Sequence, residues 1–451
     1  MEKNLRPTTP SDQIHPMITG IDLSVGGTVL KVSFRNSTSS FHAQWLWDAR
    51  CDKSSSRTAG QAFCQTPSTM RIREANVLRS GIATSLEITW MGDETAVFPA
   101  IWLRVLSSVV AMDPQKEASE YPFIPRGWLS QDLIVPEITF KEIMEERTDV
   151  DKSSTAKTTV LDTLLLDSEP GIIKVTNLPS VDPSSESSQK DNLLTMVLKQ
   201  LFGSVFQHPR RGPDETFKIA SHYHASSSQA VELPNYDTSE LLLPHTDHSH
   251  YNNPVRVQGL HAVEGSTENT FINAFSVLTT LVNEDKDMYD ALCKAPMIMG
   301  RKAEFYDPPL KQTTVDTAVR MMAGTLQTVN AIRWHPHLAG YLLSPFEKFE
   351  SSRAAHSKFQ EIMRRDSHMF RTTFKPGDLY LWDNFRILHG RERTLNTPRL
   401  AIGQTVTEQT ASDVYREVKV DQLRGYVDED WLVQTPTFLL NEMLGIISAE
   451  L

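Results

Sequence analysis

Residues 243–251 read Leu-Pro-His-Thr-Asp-His-Ser-His-Tyr, which places His245 and Asp247 two positions apart, and a further histidine, His389, stands far along the chain. Side chains at positions i and i+2 of an extended segment point to the same side, so His245 and Asp247 can reach one ion together. A histidine from a distant strand would complete one face of an octahedral coordination sphere. These residues therefore predict a metal site.

The surroundings of His389 strengthen this interpretation, because an isolated His-x-Asp is more often a surface turn. Residues 374–378, Phe-Lys-Pro-Gly-Asp, have the proline and glycine of a tight turn, and residues 379–384, Leu-Tyr-Leu-Trp-Asp-Asn, form an apolar run typical of a buried strand. His389 follows this turn and this strand. Two histidines and one carboxylate are the donor set of non-haem Fe(II) oxygenases, so Fe(II) is the predicted ion.

A cation at the start of an apolar run follows His389. Arg399 stands in Thr-Pro-Arg-Leu-Ala-Ile, residues 397–402, where a long charged side chain needs a partner. A guanidinium group can bind a carboxylate through two parallel hydrogen bonds. Arg399 is therefore predicted to bind the distal carboxylate of a dicarboxylate cosubstrate whose keto-acid end chelates the metal.

Longer strings extend the pattern beyond these four residues. They are His-Thr-Asp at 245–247, Val-Gln-Gly-Leu-His-Ala at 257–262, Phe-Lys-Pro-Gly-Asp at 374–378 and Asp-Asn-Phe-Arg-Ile-Leu-His-Gly-Arg at 383–391. On these strings the chain from about Tyr236 to Val406 resembles the gamma-butyrobetaine hydroxylase and trimethyllysine hydroxylase family, relatives of taurine dioxygenase. The resemblance implies 2-oxoglutarate as cosubstrate, O2 as oxidant, and Fe(II) bound by His245, Asp247 and His389.

The resemblance also implies the fold and a second contact with 2-oxoglutarate. The fold would be mainly β with flanking helices: a double-stranded β-helix, or jelly roll, in which two facing sheets surround the metal, plus a small β-rich amino-terminal domain. The family's Gly-Gly-x-Thr segment has its nearest counterpart in Gly-Ser-Thr-Glu-Asn-Thr, residues 265–270. Thr270 is therefore the candidate for the second contact, with an ordinary strand position as the alternative.

Substrate contacts are predicted close to the metal ligands. Asn330 and Arg333 resemble the family's Asn-Asn-x-x-Arg segment near the substrate, with solvated polar groups at a strand end as the alternative. Relatives that hold a trimethylammonium group use an aromatic cage, whereas this chain has histidines just after the metal ligands. The substrate-binding candidates are Tyr236, His248, His250, Tyr251, Asn330 and Arg333.

A histidine-rich wall suits a carboxylate or a hydrogen-bonding amine better than a quaternary cation. The predicted reaction is therefore oxidation of a C–H bond in a small amino acid or related amine-carboxylate, in specialised metabolism, with hydroxylation, desaturation and oxidative cyclisation all left open. Three alternatives stand beside it: a gamma-butyrobetaine or trimethyllysine hydroxylase of carnitine synthesis, a zinc hydrolase with the same ligands, and a non-catalytic jelly-roll binding protein.

The amino-terminal part resembles the family's zinc-binding module but departs from its ligand pattern. Gln-Trp-Leu-Trp-Asp at 44–48 is similar to the family's Trp-Leu-Arg-Asp, and Ile-Thr-Trp-Met-Gly-Asp at 88–93 is similar to its Trp-Pro-Asp-Gly. Cys51 is displaced by one residue, the next cysteine is Cys64, and Glu94 stands in place of the histidine, so no structural zinc is expected. The module is instead expected to fold around an aromatic core of Trp45, Trp47, Trp90 and Trp102.

Turn chemistry and composition shifts divide the 451 residues into four parts. They are a loose amino-terminal segment (1–14), the small β-rich domain (15–108), a connector (109–127) and the jelly-roll oxygenase domain (128–451). Within the last part, residues 179–188 are rich in serine, proline and acids and predict an exposed loop. Helices are predicted over 191–202 and 346–363, where apolar residues recur at helical spacing.

Composition argues against several other classes of protein. A net charge of −11 and a pI near 5.7 argue against binding to nucleic acid or an anionic membrane, so the predicted partner is a small molecule. Cys51, Cys64 and Cys293 cannot form a disulfide framework, and no apolar run reaches the roughly 18 residues of a membrane span. The amino terminus has neither an apolar signal core nor an arginine-rich presequence, so a cytoplasmic location is predicted. A homodimer is implied by the resemblance alone.

Overall fold

The computed structural model describes residues 17–35, 37–50, 70–80, 83–110, 124–145, 150–180, 192–207, 216–221, 241–303, 310–321, 328–393, 399–433 and 435–450. Contacts between Cα atoms divide the chain into two compact units. The first unit combines residues 1–120 with 416–451, and the second spans 121–415. Among the described residues, no helix has the length and hydrophobicity needed to cross a membrane.

The amino-terminal part of the first unit contains, in its described residues, two antiparallel sheets and two helices. One sheet is formed by β1 (Ile18–Leu23), β2 (Val29–Phe34) and β3 (Thr38–His42), and the other by β4 (Ile72–Ser80), β5 (Ala83–Trp90) and β6 (Thr95–Pro99). The helices are α1 (Ala43–Ala49) and α2 (Ala100–Val110).

Four tryptophans lie in the core of this unit, as the sequence predicts. Trp47, Trp90 and Trp102 are buried and Trp45 is half-buried. Trp45 stacks on Trp102 with ring centroids 5.9 Å apart, and Trp47 meets Trp90 edge-on at 5.2 Å. Offset and edge-to-face ring pairs add to the stabilisation from burial alone.

The strands of the second unit form two large sheets and smaller additions. The larger sheet has the order β7-β8-β19-β11-β21-β9, and the second has the order β10-β20-β12-β18. The strands are β7 (Glu137–Thr139), β8 (Ile172–Thr176), β9 (Phe217–Ser221), β10 (Leu242–His245), β11 (Val255–Glu264), β12 (Thr267–Asn273), β13 (Pro296–Ala303), β14 (Leu310–Thr317), β15 (Val319–Met321), β16 (Val329–Ile332), β17 (Ala339–Leu342), β18 (Phe370–Phe374), β19 (Leu379–Asp383), β20 (Ile387–Arg391) and β21 (Arg399–Thr407).

Helices flank these sheets. They are α3 (Phe140–Met144), α4 (Val150–Leu165), α5 (Leu193–Phe202), α6 (Ala274–Glu284), α7 (Lys286–Lys294), a 3-10 turn (Phe346–Lys348), α8 (Phe349–Met363) and α9 (Glu408–Leu423), which contains the boundary between the units. The helices predicted over 191–202 and 346–363 are confirmed. Asn192 caps α5 by accepting a hydrogen bond from the backbone N–H of Thr195 at 3.0 Å.

Aromatic side chains from the two large sheets pack against each other. Phe271 on β12 lies 6.0 Å from Tyr380 and 5.4 Å from Trp382, both on β19, between ring centroids. Phe374 on β18 stacks on Tyr380 at 4.3 Å. The sheets therefore face each other across a common apolar core, which is the arrangement of a jelly roll.

The predicted turn before β19 is confirmed. Gly377 has a φ of 90°, a left-handed conformation that favours glycine. Asp378 accepts a hydrogen bond from the backbone N–H of Lys375 at 2.8 Å, which closes the turn. Of the loop predicted at 179–188, residues 181–188 lie outside the described part of the chain.

The last helices pack in the first unit, a placement that differs from the predicted oxygenase domain of 128–451. They are α10 (Glu429–Val433) and α11 (Thr437–Glu450). Trp431 lies 4.6 Å from Trp102 between ring centroids, and the Trp102 Nε1–H donates to Thr435 Oγ1 at 3.0 Å. Residues 416–451 group with the first unit because their apolar side chains fill its core.

Two buried histidines of the second unit predict how stability depends on pH. His356 and His368 are 6% and 2% exposed, and burial is the main cause that lowers the pKa of each below its usual value. The unfolded chain takes up protons near pH 6.5 and the folded chain at lower pH, so protonation favours unfolding. We expect the free energy of unfolding to fall below about pH 6.5, by up to about 1.4 kcal/mol per pH unit for each histidine.

Urea unfolding at about pH 7.5 and about pH 5.5 measures this dependence. The variant His356→Gln cannot titrate at this position, so its midpoint is expected to change less between the two pH values than that of the parent. An equal change in both proteins would show that His356 does not contribute.

Candidate metal centre

The two histidines of the predicted triad face each other across neighbouring strands. β10 and β20 are antiparallel and place His245 directly opposite His389. Side chains of directly opposed residues lie on the same face of a sheet, and these two ring centroids are 4.3 Å apart. Strand pairing thus brings together two ligands that are far apart in sequence.

A bulge in β10 precedes the first ligand. β10 has one residue more than β20 immediately before His245. Pro244 lies in this bulge on the edge strand of the sheet, a position that tolerates the missing N–H. A Cβ atom on Gly390 would lie 2.8 Å from the carbonyl oxygen of Leu242 and 3.0 Å from the Pro244 nitrogen. The close approach of the two strands therefore requires glycine at position 390.

The turn after β10 presents Asp247. Its backbone N–H donates to Asn384 Oδ1 at 2.9 Å, and its carbonyl oxygen accepts from Asn384 Nδ2 at 3.0 Å. Thr246 donates its backbone N–H to the carbonyl oxygen of Trp334 at 2.7 Å, and the Trp334 N–H donates to Thr246 Oγ1 at 3.1 Å. These paired hydrogen bonds fix the backbone that carries Asp247.

The ligand atoms of the triad converge. One atom each from His245, Asp247 and His389 lies within 4.8 Å of the others. The Asp247 carboxylate oxygens are 3.3 Å from His245 Nε2 and 3.8 Å from His389 Nε2. His245 Nδ1 lies 2.8 Å from the Leu243 carbonyl oxygen, and Gln258 Nε2 donates to Asp247 Oδ2 at 2.6 Å. Two imidazole nitrogens and one carboxylate, oriented by such outer partners, fit Fe(II).

The protonation states of the triad also suit a metal. Burial opposes the charge of Asp247, but its hydrogen bond with His245 and the influence of His389 outweigh burial, and the pKa of Asp247 lies well below its usual value. Burial, followed by the charge of His245, lowers the pKa of His389 to about 3. Near neutral pH Asp247 is therefore ionised and His389 is neutral, which are the forms that bind metal ions.

Arg399 lies at the start of β21 and lines the same cavity as the triad. It is 3% exposed, and its Nη1 has no hydrogen-bond partner among the described residues. Burial, followed by the charge of Arg391, lowers the pKa of Arg399 to about 9. A buried guanidinium group with an unused donor is costly unless an anion binds it, so the site fits a carboxylate of 2-oxoglutarate.

Comparison with known proteins places this site in a family. A profile of the "Taurine catabolism dioxygenase TauD, TfdA family" matches residues 149–403, more than half of the chain. The chain belongs to this family. Its relatives include the mitochondrial trimethyllysine dioxygenase of Rattus norvegicus, 22% identical over 389 residues that cover 80% of this chain and 79% of the relative. The protein of that name from Homo sapiens is also 22% identical, over 388 residues, with the same two coverages.

Solved structures of related proteins are similar to this TauD, TfdA family chain over part of its length. A putative alpha-ketoglutarate-dependent taurine dioxygenase from Burkholderia xenovorans is 14% identical, with a TM-score of 0.42, and the match covers 62% of this chain and 92% of that one. AAD-2 in complex with Mn(II) and N-oxalylglycine is 14% identical, with a TM-score of 0.38, and the match covers 59% and 90% of the two chains.

Membership of the TauD, TfdA family identifies the chain as a non-haem Fe(II)- and 2-oxoglutarate-dependent dioxygenase that uses O2 and acts on a small molecule. The jelly-roll expectation for the catalytic part is confirmed. The zinc hydrolase and the non-catalytic binding protein are set aside. The names of these relatives place them in mitochondria, and the cytoplasmic location of this chain stays a prediction.

Thr270, the predicted second contact with 2-oxoglutarate, is not among the cavity-lining residues of this family member. On β12, Asn269 lies opposite Arg391 and Phe271 opposite His389, so these side chains share one face and Thr270 points to the other. Asn269 lines the cavity instead. The alternation of side chains along the sequence does not reveal whether Asn269 or Thr270 faces the cavity, because that depends on the pairing of β12 with β20.

His248, His250 and Tyr251 follow Asp247 in the chain and pack with one another. Phe206 joins them, with ring centroids 5.4 Å from His248 and 5.9 Å from Tyr251. The rings of His250 and Tyr251 are 4.7 Å apart, and His248 has a left-handed φ of 57°. None of these four residues is among those that line the cavity with the triad.

The remaining substrate candidates also lie away from the cavity wall or outside the described chain. Arg333 is buried, with Nε 3.2 Å from Asp316 Oδ2, and its Nη2 donates to the carbonyl oxygen of Asn252 at 2.6 Å. Arg333 thus holds the backbone at Asn252, a few residues after Asp247. Asn330 is half-buried on β16, and Tyr236 lies outside the described residues.

Two histidines that the sequence analysis did not single out line the cavity. The ring centroid of His335 is 4.4 Å from that of His245, and burial followed by the charge of His245 holds the pKa of His335 well below its usual value. His337 lines the same cavity. The sequence feature that could have indicated these residues is His-Pro-His at 335–337, but no pattern in the sequence connects this turn with His245, Asp247 and His389.

Proposed function

We propose that His245, Asp247 and His389 hold Fe(II) and that Arg399 binds the distal carboxylate of 2-oxoglutarate. Three candidate ligand atoms converge within 4.8 Å, and Nη1 of Arg399 has no hydrogen-bond partner in the described part of the chain; both observations support this assignment. When bound, iron and 2-oxoglutarate together activate O2 for attack on a substrate C–H bond, with succinate and CO2 as coproducts.

The chain contributes orientation. Asn384 and Gln258 hold the backbone and the carboxylate of Asp247. Trp382 is 1% exposed and packs 4.9 Å from the His389 ring, which restricts the orientation of that ligand. These contacts thus hold the side chains of Asp247 and His389 in position before the metal and 2-oxoglutarate bind.

We propose a small amino acid or related amine-carboxylate as the substrate, in specialised metabolism, oxidised by hydroxylation, desaturation or cyclisation. The supporting observation is that the cavity wall near the metal carries hydrogen-bonding groups. They belong to Gln258, Asn269 and His335. A cage for a trimethylammonium group needs several aromatic ring faces. The phenylalanine and tryptophan rings among the described lining residues are those of Phe217 and Trp382, and Trp382 already packs against His389.

Trimethyllysine hydroxylation is the second candidate function. The names of relatives that are 22% identical over about 80% of this chain favour it. The two candidates differ in the group that the cavity must recognise: a neutral or ionised amine and carboxylate in the first, and a quaternary cation in the second.

Anaerobic titration with Fe(II) and 2-oxoglutarate tests the assignment of the site. An iron-bound keto acid gives a weak visible charge-transfer band, which we expect in the parent protein, weakened in Arg399→Gln and lost in His389→Ala. Arg353→Gln, a change on the exposed side of α8, is the matched control and is expected to keep the band. A band of equal strength in His389→Ala would refute the triad.

Succinate release tests the substrate. Small amino acids are expected to stimulate release above the rate of the uncoupled reaction, and mass spectrometry of the product would show addition of oxygen or loss of two hydrogens. Efficient turnover of trimethyllysine or gamma-butyrobetaine, with no response to other amino acids, would instead establish the second candidate.

We also propose that the first unit needs no structural zinc. Its tryptophan core and the exposed Glu94, which replaces the family's histidine, support this proposal, while Cys51 and Cys64 lie outside the described residues. Stoichiometric zinc that survives dialysis of the purified chain would contradict it. The homodimer implied by the resemblance stays a prediction.

A further inference from the structure

A second buried guanidinium group lies in the cavity of the metal site. Arg391 ends β20, two residues after His389, and is 4% exposed. Arg399 starts β21 and is 3% exposed, and both arginines line the cavity. The charge of Arg391 also contributes to the lowered pKa of Arg399.

The strand β20 sets the direction from the metal to Arg391. Residues at i and i+2 of a strand face the same side about 6.6 Å apart along the strand, and His389 and Arg391 have this relation. Their partners on β12, Phe271 and Asn269, lie on the same face. A distal carboxylate held about that far from His389 along β20 would therefore lie next to Arg391.

The charges of the wall also indicate a bound anion. The described residues that line the cavity include two arginines, Arg391 and Arg399, and one carboxylate, that of Asp247, which belongs to the triad. Nη1 of Arg399 is buried without a partner in the described chain. A carboxylate has lone pairs for several donors, so one distal carboxylate can accept hydrogen bonds from two arginines.

We propose that Arg391 and Arg399 form a two-arginine clamp for the distal carboxylate of 2-oxoglutarate. Arg391 is then a specificity-determining residue that selects a keto diacid over a keto monoacid of the same length. The proposal rests on the binding of 2-oxoglutarate at Arg399. It gives a role to the arginine of the His-Gly-Arg string, residues 389–391, that the sequence analysis left without one.

Calorimetric titration of the Mn(II)-loaded chain, without O2, tests the clamp by binding alone. Two ligands are compared: 2-oxoglutarate, and 2-oxopentanoate, in which a methyl group replaces the distal carboxylate. For Arg391→Gln we expect affinity for 2-oxoglutarate to fall about tenfold to a hundredfold, the usual cost of a lost charge-assisted hydrogen bond. Affinity for 2-oxopentanoate is expected to stay within about twofold, because this ligand has no distal carboxylate for Arg391 to bind. Comparing two proteins with two ligands therefore isolates the contact between Arg391 and that carboxylate.

Three further proteins complete the design. Arg399→Gln is expected to lose affinity for 2-oxoglutarate selectively, and Arg371→Gln, an exposed position on β18 paired with Asp366, is expected to match the parent. Arg391→Lys keeps the charge but not the two-point geometry, and is expected to lose part of the affinity for 2-oxoglutarate. Mn(II) affinity in the absence of keto acid reports whether the triad is intact in each variant, and Arg391→Lys decides the question if Arg391→Gln does not fold.

The outcomes separate the clamp from the assignment on which it rests. Equal losses for both ligands in the Arg391 variants would mean that Arg391 has only a structural role, and unchanged affinity for both would mean that it contributes nothing. Either result overturns the clamp while Arg399→Gln still responds. If Arg399→Gln also keeps full affinity for 2-oxoglutarate, the proposed cosubstrate site itself is wrong.

Discussion

Replacement of Asp247 with alanine is expected to abolish turnover and to weaken Mn(II) binding by more than about a hundredfold, the upper end of the cost of losing an outer-shell partner. Asp247 supplies the negative charge of the triad, and its two oxygens lie 3.3 Å and 3.8 Å from the Nε2 atoms of His245 and His389. Without it, two neutral imidazoles must hold a divalent ion. Calorimetric Mn(II) titration and succinate release measure the two effects.

Two further variants provide Mn(II) affinities with which that of Asp247→Ala can be compared. Gln258→Leu removes the 2.6 Å hydrogen bond to Asp247 Oδ2 and keeps the ligands, so we expect a smaller loss of about tenfold to a hundredfold. Asp366→Ala removes a carboxylate whose side chain is 88% exposed and is expected to change nothing. If Asp247→Ala keeps Mn(II) affinity within a factor of ten of the parent, the triad does not bind the metal.

Replacement of Gly390 with alanine is expected to disrupt the metal site without touching a ligand. The added Cβ would lie 2.8 Å from the Leu242 carbonyl oxygen, a backbone atom that cannot rotate away. β10 must then move from β20, and His245 moves with it relative to His389. We expect a loss of at least about tenfold in Mn(II) affinity and about 1–3 kcal/mol in the free energy of unfolding.

Gly300→Ala is the matched control, because it also places an alanine within a strand. Its Cβ would lie 3.4 Å from Thr313 Oγ1, the end of a side chain that can adjust. Mn(II) affinity of this variant is expected to equal that of the parent. Gly390→Ala with parental affinity and stability would show that the close approach of β10 to β20 is not needed.

The convergence of His245, Asp247 and His389 could be predicted because local strings mark each residue. His245 and Asp247 share a face of an extended segment, and His389 lies in the specific string at residues 383–391. The turn at 374–378 was also readable, since the positive φ of Gly377 is the conformation that its proline-glycine pair favours. In each case the physical determinant is within a few residues of the feature.

Positions that depend on strand pairing could not be predicted. Asn269 and Thr270 are neighbours, and only the register between β12 and β20 decides which one faces the cavity, because a shift of one residue reverses every side chain. His335 reaches the triad through a turn that follows β16. The grouping of residues 416–451 with the first unit depends on tertiary packing around Trp431, which apolar periodicity does not specify.

An ion bound by His245, Asp247 and His389 would also have a structural role, because β10 is an edge strand. β10 pairs with β20 on one side and carries His245 into the Asp247 turn, while His389 belongs to the neighbouring strand. An ion held by all three residues would link the edge strand β10 to β20, and its binding energy would oppose local fraying of β10. Backbone amides of residues 242–247 should therefore exchange with deuterated solvent more slowly when the metal is present. Iron depletion would then expose an unpaired strand edge, a surface prone to self-association, before it unfolds the rest of the enzyme.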